Sequence, residues 1–323
     1  MENDWKRTAG GAGILLVLLT ALLSGVANFV NFLALRANPT WNSDPFVTVR
    51  NVTVALMLVP LAVVAWRGAT TRLSRVDWAK LTAIGLIGGA IPFLLFFRGL
   101  DLARSGGGAA SATFGYRTLF LMATVFAVVV LKERFHPRLA LAAGLLLVGN
   151  GLLLALTGPI WTDGTAYVLL ATGMWAGEYT LSKHALRNLA PGTVALGRMG
   201  FGGLFLLAYI GITGQFSAIP AMGGAWPWIL LSAVLLVGFV TTWYTGLKYV
   251  DLSVASAVLV LAFPITWALT VASANAPFGL TQAAGVAAVV FGVAIAIGMA
   301  SLRETWETFA RFVRARLRSA TAR

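Results

Sequence analysis

The chain has 323 residues, 59% hydrophobic and only 11% charged, with a mean hydropathy of +0.84. Soluble domains carry about a quarter charged residues, so this composition speaks against a soluble fold. The formal charge of +13 does not indicate nucleic acid, because Lys and Arg sit at the ends of apolar runs, where they orient spans and meet lipid head groups. Cysteine is absent and only two histidines occur, His136 and His184. No thiol chemistry is available, a metal centre is not expected, and nothing calls for a cofactor.

Met1–Thr8 is polar, with Lys6 and Arg7. The first apolar run, Gly11–Leu35, could be a signal peptide with a small-residue site near Gly25–Ala27. Nine more such runs follow, and the first is long enough to span, which favours a membrane helix. The others are Phe46–Trp66, Trp78–Phe97, Gly106–Leu131, Leu139–Leu156, Thr165–His184, Thr193–Thr213, Trp226–Leu247, Ser253–Ser273 and Thr281–Met299. This pattern predicts ten transmembrane helices, since a lipid-exposed backbone must satisfy its own hydrogen bonds. Ser105–Val130 holds a single charge, Arg117, near its middle and opens with Gly106-Gly107-Gly108. Ser253–Ser273 looks like its counterpart: Gly99-Leu100 precedes the one as Gly246-Leu247 precedes the other.

Loop charges predict the orientation. One alternating set of connections holds Lys6/Arg7, Arg67/Arg72/Arg75, Lys132/Arg134/Arg138, Lys183/Arg187, Lys248 and the Arg-rich tail. The positive-inside rule places that set, and both termini, in the cytoplasm of an inner-membrane protein. Trp41, Trp161, Trp226 and Trp228 then fall at the outer interface.

A split near Gly158 leaves five spans on each side. An odd number makes any repeat an inverted-topology repeat. The predicted units are residues 1–157, 158–300 and a tail, 301–323. Paired residues support duplication: Arg36 with Arg187, Arg50 with Arg198, and Gly144/Gly151 with Gly285/Gly292. Coincidence in a Gly- and Ala-rich chain is the alternative reading of the pairs. In the tail, Leu302, Trp306, Phe309, Val313 and Leu317 alternate with arginines. That reads as an amphipathic helix on an anionic leaflet, or else as a solvated end.

The segment Leu131-Lys132-Glu133-Arg134, followed by Gly144, Gly149 and Gly151, resembles the end of the first half in the drug/metabolite transporter superfamily, ten-helix EamA-like branch. Leu261-Ala262-Phe263-Pro264, with Gly285 and Gly292, is the matching run of the second half. The chain is most similar to the YddG-type exporters of aromatic amino acids. The resemblance implies an all-helical membrane carrier of two inverted five-helix repeats around a central cavity, working by alternating access. Two departures stand out: Ala276-Pro277 falls where members often keep an acid, and the first half has no proline matching Pro264, in a slot at Arg117 to Leu121.

Polar residues at depth are the candidate site. Glu178 lies mid-run; a carboxylate there costs about 2.5–3.5 kcal/mol on insertion scales, so it needs a partner and often has a task. It could bind a substrate ammonium, carry a coupling proton, or sit in a fixed pair. Arg117 could hold a substrate carboxylate bidentately, or pair internally, even with Glu178. Asn28 and Asn31 share one helix face and could line a cavity or bond helix to helix. Trp175, Tyr179 and Trp243 have polar neighbours on their helices and could stack a ring or hold a cation. Pro92 and Pro264 bend their helices. No phosphate loop, nucleophile elbow or channel filter motif occurs. The expected protein is thus a monomeric carrier, not an enzyme, exporting aromatic amino acids or related small amphipathic metabolites. The alternative cargo is a broad range of metabolites or drugs, driven by protons through Glu178.

Overall fold

The computed structural model describes residues 2–37, 43–67, 73–105, 109–154, 161–219, 224–274 and 279–321. Among them the fold is all helix, with no strand. Backbone groups in hydrocarbon have no water to bond, and a helix pairs them internally. The first half comprises α1 (Glu2–Ala37), α2 (Ser43–Arg67), α3 (Arg75–Ile84), a π-helical turn (Gly85–Ala90), α4 (Ile91–Ser105), α5 (Ala109–Arg117), α6 (Leu119–Val129) and α7 (Pro137–Leu154). The second comprises α8 (Asp163–Ala185), α9 (Pro191–Ile212), α10 (Trp226–Tyr249), α11 (Leu252–Leu259), α12 (Ala262–Ala274) and α13 (Leu280–Ile297). The tail forms α14 (Met299–Thr321).

Among the described residues, nine helices or broken helices are long and apolar enough to cross a membrane. The sequence pattern predicts ten. The difference is α8, whose 23 residues suffice in length but carry Thr165, Thr172, Glu178, Thr180 and Ser182. All five are buried, on a helix that packs against α4, α5 and α6. A helix enclosed by others can be more polar than one facing lipid.

The helices pair in a pattern that repeats itself. α1 lies along α10 as α4 lies along α8, α2 runs along α9, and α7 along α13. At the last contact Gly149 and Gly285 touch backbone to backbone; a Cβ on either would meet the other's carbonyl oxygen at 2.8 to 2.9 Å. The sequence pairing singles out Gly144 instead, where an added Cβ would meet nothing within 4 Å. The antiparallel register decides which glycine makes the contact, and spacing alone cannot.

Two spans are broken at equivalent places. Thr118 separates α5 from α6, and Val260-Leu261 separates α11 from α12. In the second break Pro264 has no N–H to give the Val260 carbonyl, which accepts from Phe263 N–H at 3.1 Å instead. In the first, with no proline, the Thr118 hydroxyl donates to the Gly115 carbonyl at 2.7 Å and Leu121 N–H turns to Thr118 O at 2.9 Å. A side chain competing for backbone bonds does what proline does in the other half.

At one end of the bundle Glu133 ties the halves together, and Lys183 fastens α8 to α10 within the second half. The Glu133 carboxylate accepts from the N–H groups of Leu252 and Ser253 at 2.7 and 3.1 Å and from the Ser253 hydroxyl at 2.7 Å. It caps the N-terminus of α11, where amide donors and the helix dipole favour an anion. Lys183 Nζ donates to the carbonyls of Leu247 and Val250 at 2.6 and 2.7 Å, at the C-terminal end of α10. Lys132, just before Glu133, takes a left-handed φ of 59°.

The tail is helical, as one of its two sequence readings expects. α14 packs against α1 and α13, while Trp306, Phe309, Phe312 and Val313 are left exposed as an apolar face. Trp41, Gly106–Gly108, Gly158, Ala276 and Pro277 lie outside the described residues, as do the side chains of Arg36, Arg67, Arg104 and Leu317.

Replacing Glu133 by Ala should destabilise the folded protein by roughly 1–2 kcal/mol, the scale of a lost helix cap. The check is a lowered thermal midpoint in detergent; an unchanged midpoint would show that the Glu133 bond does not hold the halves.

Candidate substrate cavity

Between the two halves lies a cavity of about 160 Å³. The first half contributes Ser24, Asn28 and Asn31 from α1, Arg50 from α2, Phe93, Phe96 and Phe97 from α4, and Tyr116 from α5. The second contributes Trp175 and Tyr179 from α8, Arg198 from α9, and Ser232, Leu236 and Phe239 from α10. A smaller chamber of about 30 Å³ shares Asn28, Tyr116, Tyr179 and Phe239 and adds Arg117, Ser256 and Phe263, residues at or near the two helix breaks.

One wall is aromatic. Trp175 stands at its centre, 5.3 Å from the ring of Phe93, 5.5 Å from Phe96 and 5.3 Å from Tyr116 between centroids. Edge-to-face arrangements of this kind suit the ring quadrupoles and leave faces available to a guest ring. The tryptophan is fixed by its indole Nε1, which donates to the Gly88 carbonyl at 3.1 Å.

That carbonyl is available for a reason of sequence. Pro92, four residues on, has no N–H to return to it, and the helix here widens into a π turn. Arg198 Nη2 also donates to Gly88 O, at 3.3 Å, and Asn51 Nδ2 donates to Gly89 O at 3.2 Å. Three helices therefore converge on one widened turn. A Cβ at position 88 would collide with the Glu178 side chain, and one at 89 with the Arg198 carbonyl. Glycine at both places permits the approach.

The charges are buried and unequal. Glu178 is fully buried; its Oε1 accepts from Tyr244 OH at 2.7 Å and from the Ser182 hydroxyl. Its Oε2 faces Arg198 Nη1 at 3.6 Å and accepts no hydrogen bond among the described residues. Arg198 has further a long bond to Tyr244 OH at 3.4 Å, and its Nε has no acceptor. Among the described residues Arg50 donates only to the neutral side-chain oxygen of Asn51, at 3.1 and 3.2 Å, and lies 5.3 Å from the Phe93 ring centre. Both arginines are 5% exposed, and what exposure they have opens on the cavity. Buried guanidinium donors left incompletely satisfied are suited to an anionic guest.

Of the residues singled out by sequence, Asn28, Asn31, Trp175 and Tyr179 line the main cavity. Asn31 Oδ1 accepts from the Ser232 hydroxyl at 2.7 Å, joining α1 to α10. Arg117 lies in the smaller chamber, donates to Asn150 Oδ1 at 3.1 Å and sits 4.6 Å from the centre of the Phe263 ring. The pairing with Glu178 that the sequence leaves open does not form: Glu178 faces α9 and α10, and its cation is Arg198. Glu178 itself stands behind the cavity wall. Trp243 is also fully buried behind it, tilted against Tyr179 at 4.6 Å between ring centres, with Nε1 unbonded among the described residues. Arg50 and Arg198 enter the sequence reading only as markers of the repeat. The signal that finds them is the one applied to Arg117, a charge inside an apolar run.

The sequence profile of the EamA-like transporter family matches residues 11–155 and, a second time, residues 163–298. No curated protein matches the chain. Among solved structures 28 chains match. One crystal structure of a protein, at 20% identity, superposes with a TM-score of 0.73 over 88% of this chain and 96% of its own. At that identity the likeness concerns the fold.

Truncating one partner of a buried ion pair typically costs 3–5 kcal/mol, because the other charge is left alone. Glu178→Gln and Arg198→Gln should each lower stability on that scale in detergent unfolding. The double variant should cost clearly less than the sum; strict additivity would mean that the two groups do not interact.

Proposed function

The chain belongs to the EamA-like transporter family, and from that premise we propose that it is a secondary transporter exporting small amphipathic carboxylates, aromatic amino acids first among them. The observation that carries the cargo assignment is the pair of buried guanidiniums, Arg50 and Arg198, opening on a ring-lined cavity that holds no carboxylate of its own. In this reading the substrate carboxylate sits between the two arginines and the side chain lies against Trp175, Phe93, Phe96 and Tyr116. Asn28 and the Ser24 hydroxyl supply neutral acceptors for an ammonium. Asn31 and Ser232 brace that wall. Tyr179 lines it, Trp243 supports it from behind, and Arg117 attracts the carboxylate toward the second chamber.

The architecture in this proposal is ten spans, α8 included, in two inverted five-helix units, residues 1–157 and 158–300. Both termini are cytoplasmic in an inner membrane, and the working unit is a monomer. Exchange of the halves turns the α1–α10 contact into the α8–α4 contact and returns the α2–α9 and α7–α13 contacts to themselves. The helix breaks at Thr118 and Val260 exchange likewise. Such symmetry is what alternating access about a fixed central site requires. The Glu133 bonds at one end close the gap between halves and must part when the carrier opens there.

A second reading, proton drive, has one observation in its favour. Glu178 Oε2 faces Arg198 without a hydrogen bond. A proton on that oxygen would cancel the attraction and release Arg198 toward the cavity.

Purified protein in liposomes should move labelled tryptophan or phenylalanine. A charge-assisted bond is worth about 1.5–3 kcal/mol, so Arg50→Gln should weaken apparent affinity by roughly ten- to a hundred-fold. Equal transport of aryl amines lacking a carboxylate, or no flux of any aromatic amino acid, would remove this cargo. For coupling, Glu178→Gln should abolish the response to an imposed pH gradient if protons drive transport, and an undiminished response rules Glu178 out as the carrier.

A further inference from the structure

A groove of about 500 Å³, larger than the central cavity, runs between α6 and α8 on the outside of the bundle. Its apolar part is walled by Phe126 and Leu181 and floored at Gly177. A Cβ added to Gly177 would meet nothing closer than a Phe126 ring carbon at 3.8 Å, so the floor is open. Its rim, where both helices end, carries Lys132, His184 and Arg187, all exposed. The other charges nearby are engaged elsewhere: Lys183 points to the α10 carbonyls, and the Glu133 carboxylate is held at the start of α11. Among the described residues no acid lines the groove to neutralise the rim.

The backbone is committed to this arrangement. Lys132 is the one residue other than glycine with positive φ among those described. That conformation is unfavourable for an L side chain and persists where surrounding structure imposes it. It lets the chain turn so that Glu133 crosses to α11 while Lys132 stays at the groove.

We propose that this groove binds an anionic glycerophospholipid, the phosphate held by Lys132, His184 and Arg187 and an acyl chain lying over Gly177 between Phe126 and Leu181. The choice of occupant follows from the two chemistries of the groove: an apolar slot within the span and a cationic rim at the level where apolar runs end, which is head-group depth. The site is separate from the central cavity and does not depend on the cargo proposed above.

A photoactivatable phosphatidylglycerol, added to the full-length protein in detergent, tests the site. Label is expected on the peptides containing Phe126–Lys132 and Gly177–Arg187. Unlabelled phosphatidylglycerol should displace it, and phosphatidylcholine should not. Displacement by inorganic phosphate at equal concentration would assign the rim to a soluble anion and overturn the lipid reading. Label confined to α14, with its own arginines, would overturn it too. The double substitution Lys132→Gln with Arg187→Gln should reduce labelling of the groove about tenfold. Gly177→Leu, which fills the slot without touching the rim, should reduce it comparably. Unchanged labelling in both variants sinks the proposal. Equal displacement by phosphatidylcholine does as well, and neither of those displacement arms needs a variant to fold.

Discussion

A guanidinium within a membrane-spanning helix needs an oxygen partner, and the fold around Arg198 is arranged to supply one. Its partners are the Gly88 carbonyl, the Tyr244 hydroxyl and the Glu178 carboxylate, contributed by three separate elements. None of these is available by accident. Pro92 withholds the donor that would otherwise occupy Gly88 O, and glycines at 88 and 89 let α8 and α9 approach the widened turn. The same carbonyl holds the indole of Trp175. One electrostatic requirement thus fixes both the charged floor of the cavity and the centre of its aromatic wall. Rigid placement of this kind keeps a binding site in shape when helices move.

The two cavity arginines are not equivalent. Arg198 stands opposite a carboxylate, and its charge is largely matched. Among the described residues Arg50 has only the Asn51 amide oxygen and the face of Phe93. An unmatched cation is costly in a site without solvent, and a guest that brings its own carboxylate relieves that cost. For the cargo proposed above, selectivity then comes from leaving one guanidinium under-satisfied. It also explains why Glu178, the most conspicuous polar residue of the sequence, serves Arg198 and not the guest directly.

The ends of the molecule are governed by different forces from its centre. Where α10 meets α11, full charges are laid on helix termini: Glu133 on amide donors, Lys183 on carbonyls. At the corresponding slot of the second half the sequence has Ala276-Pro277, which offers no carboxylate. The duplicated halves are therefore chemically unlike at this point, although their helices pair alike. Outside the bundle, α14 turns Trp306, Phe309, Phe312 and Val313 away from the protein, a face suited to the acyl–headgroup boundary.

Composition and periodicity alone settled that the chain is a membrane-spanning helical protein with a duplicated plan, because insertion into hydrocarbon constrains each segment locally, whatever its neighbours are. The same locality made Trp175, Tyr179, Asn28 and Asn31 legible as polar or aromatic residues at depth. It does not distinguish α8 from the other spans, although α8 falls short of their apolarity, since a helix shielded by its neighbours can be polar on its inner face. Which cation meets Glu178 was beyond the sequence: Arg117 and Arg198 look alike there, and only the packing of α9 on the Gly85–Ala90 turn brings one and not the other within 3.6 Å. Register, likewise, chose Gly149 over Gly144. Pair identities depend on distances between residues far apart in the chain, and those are set by how the helices cross.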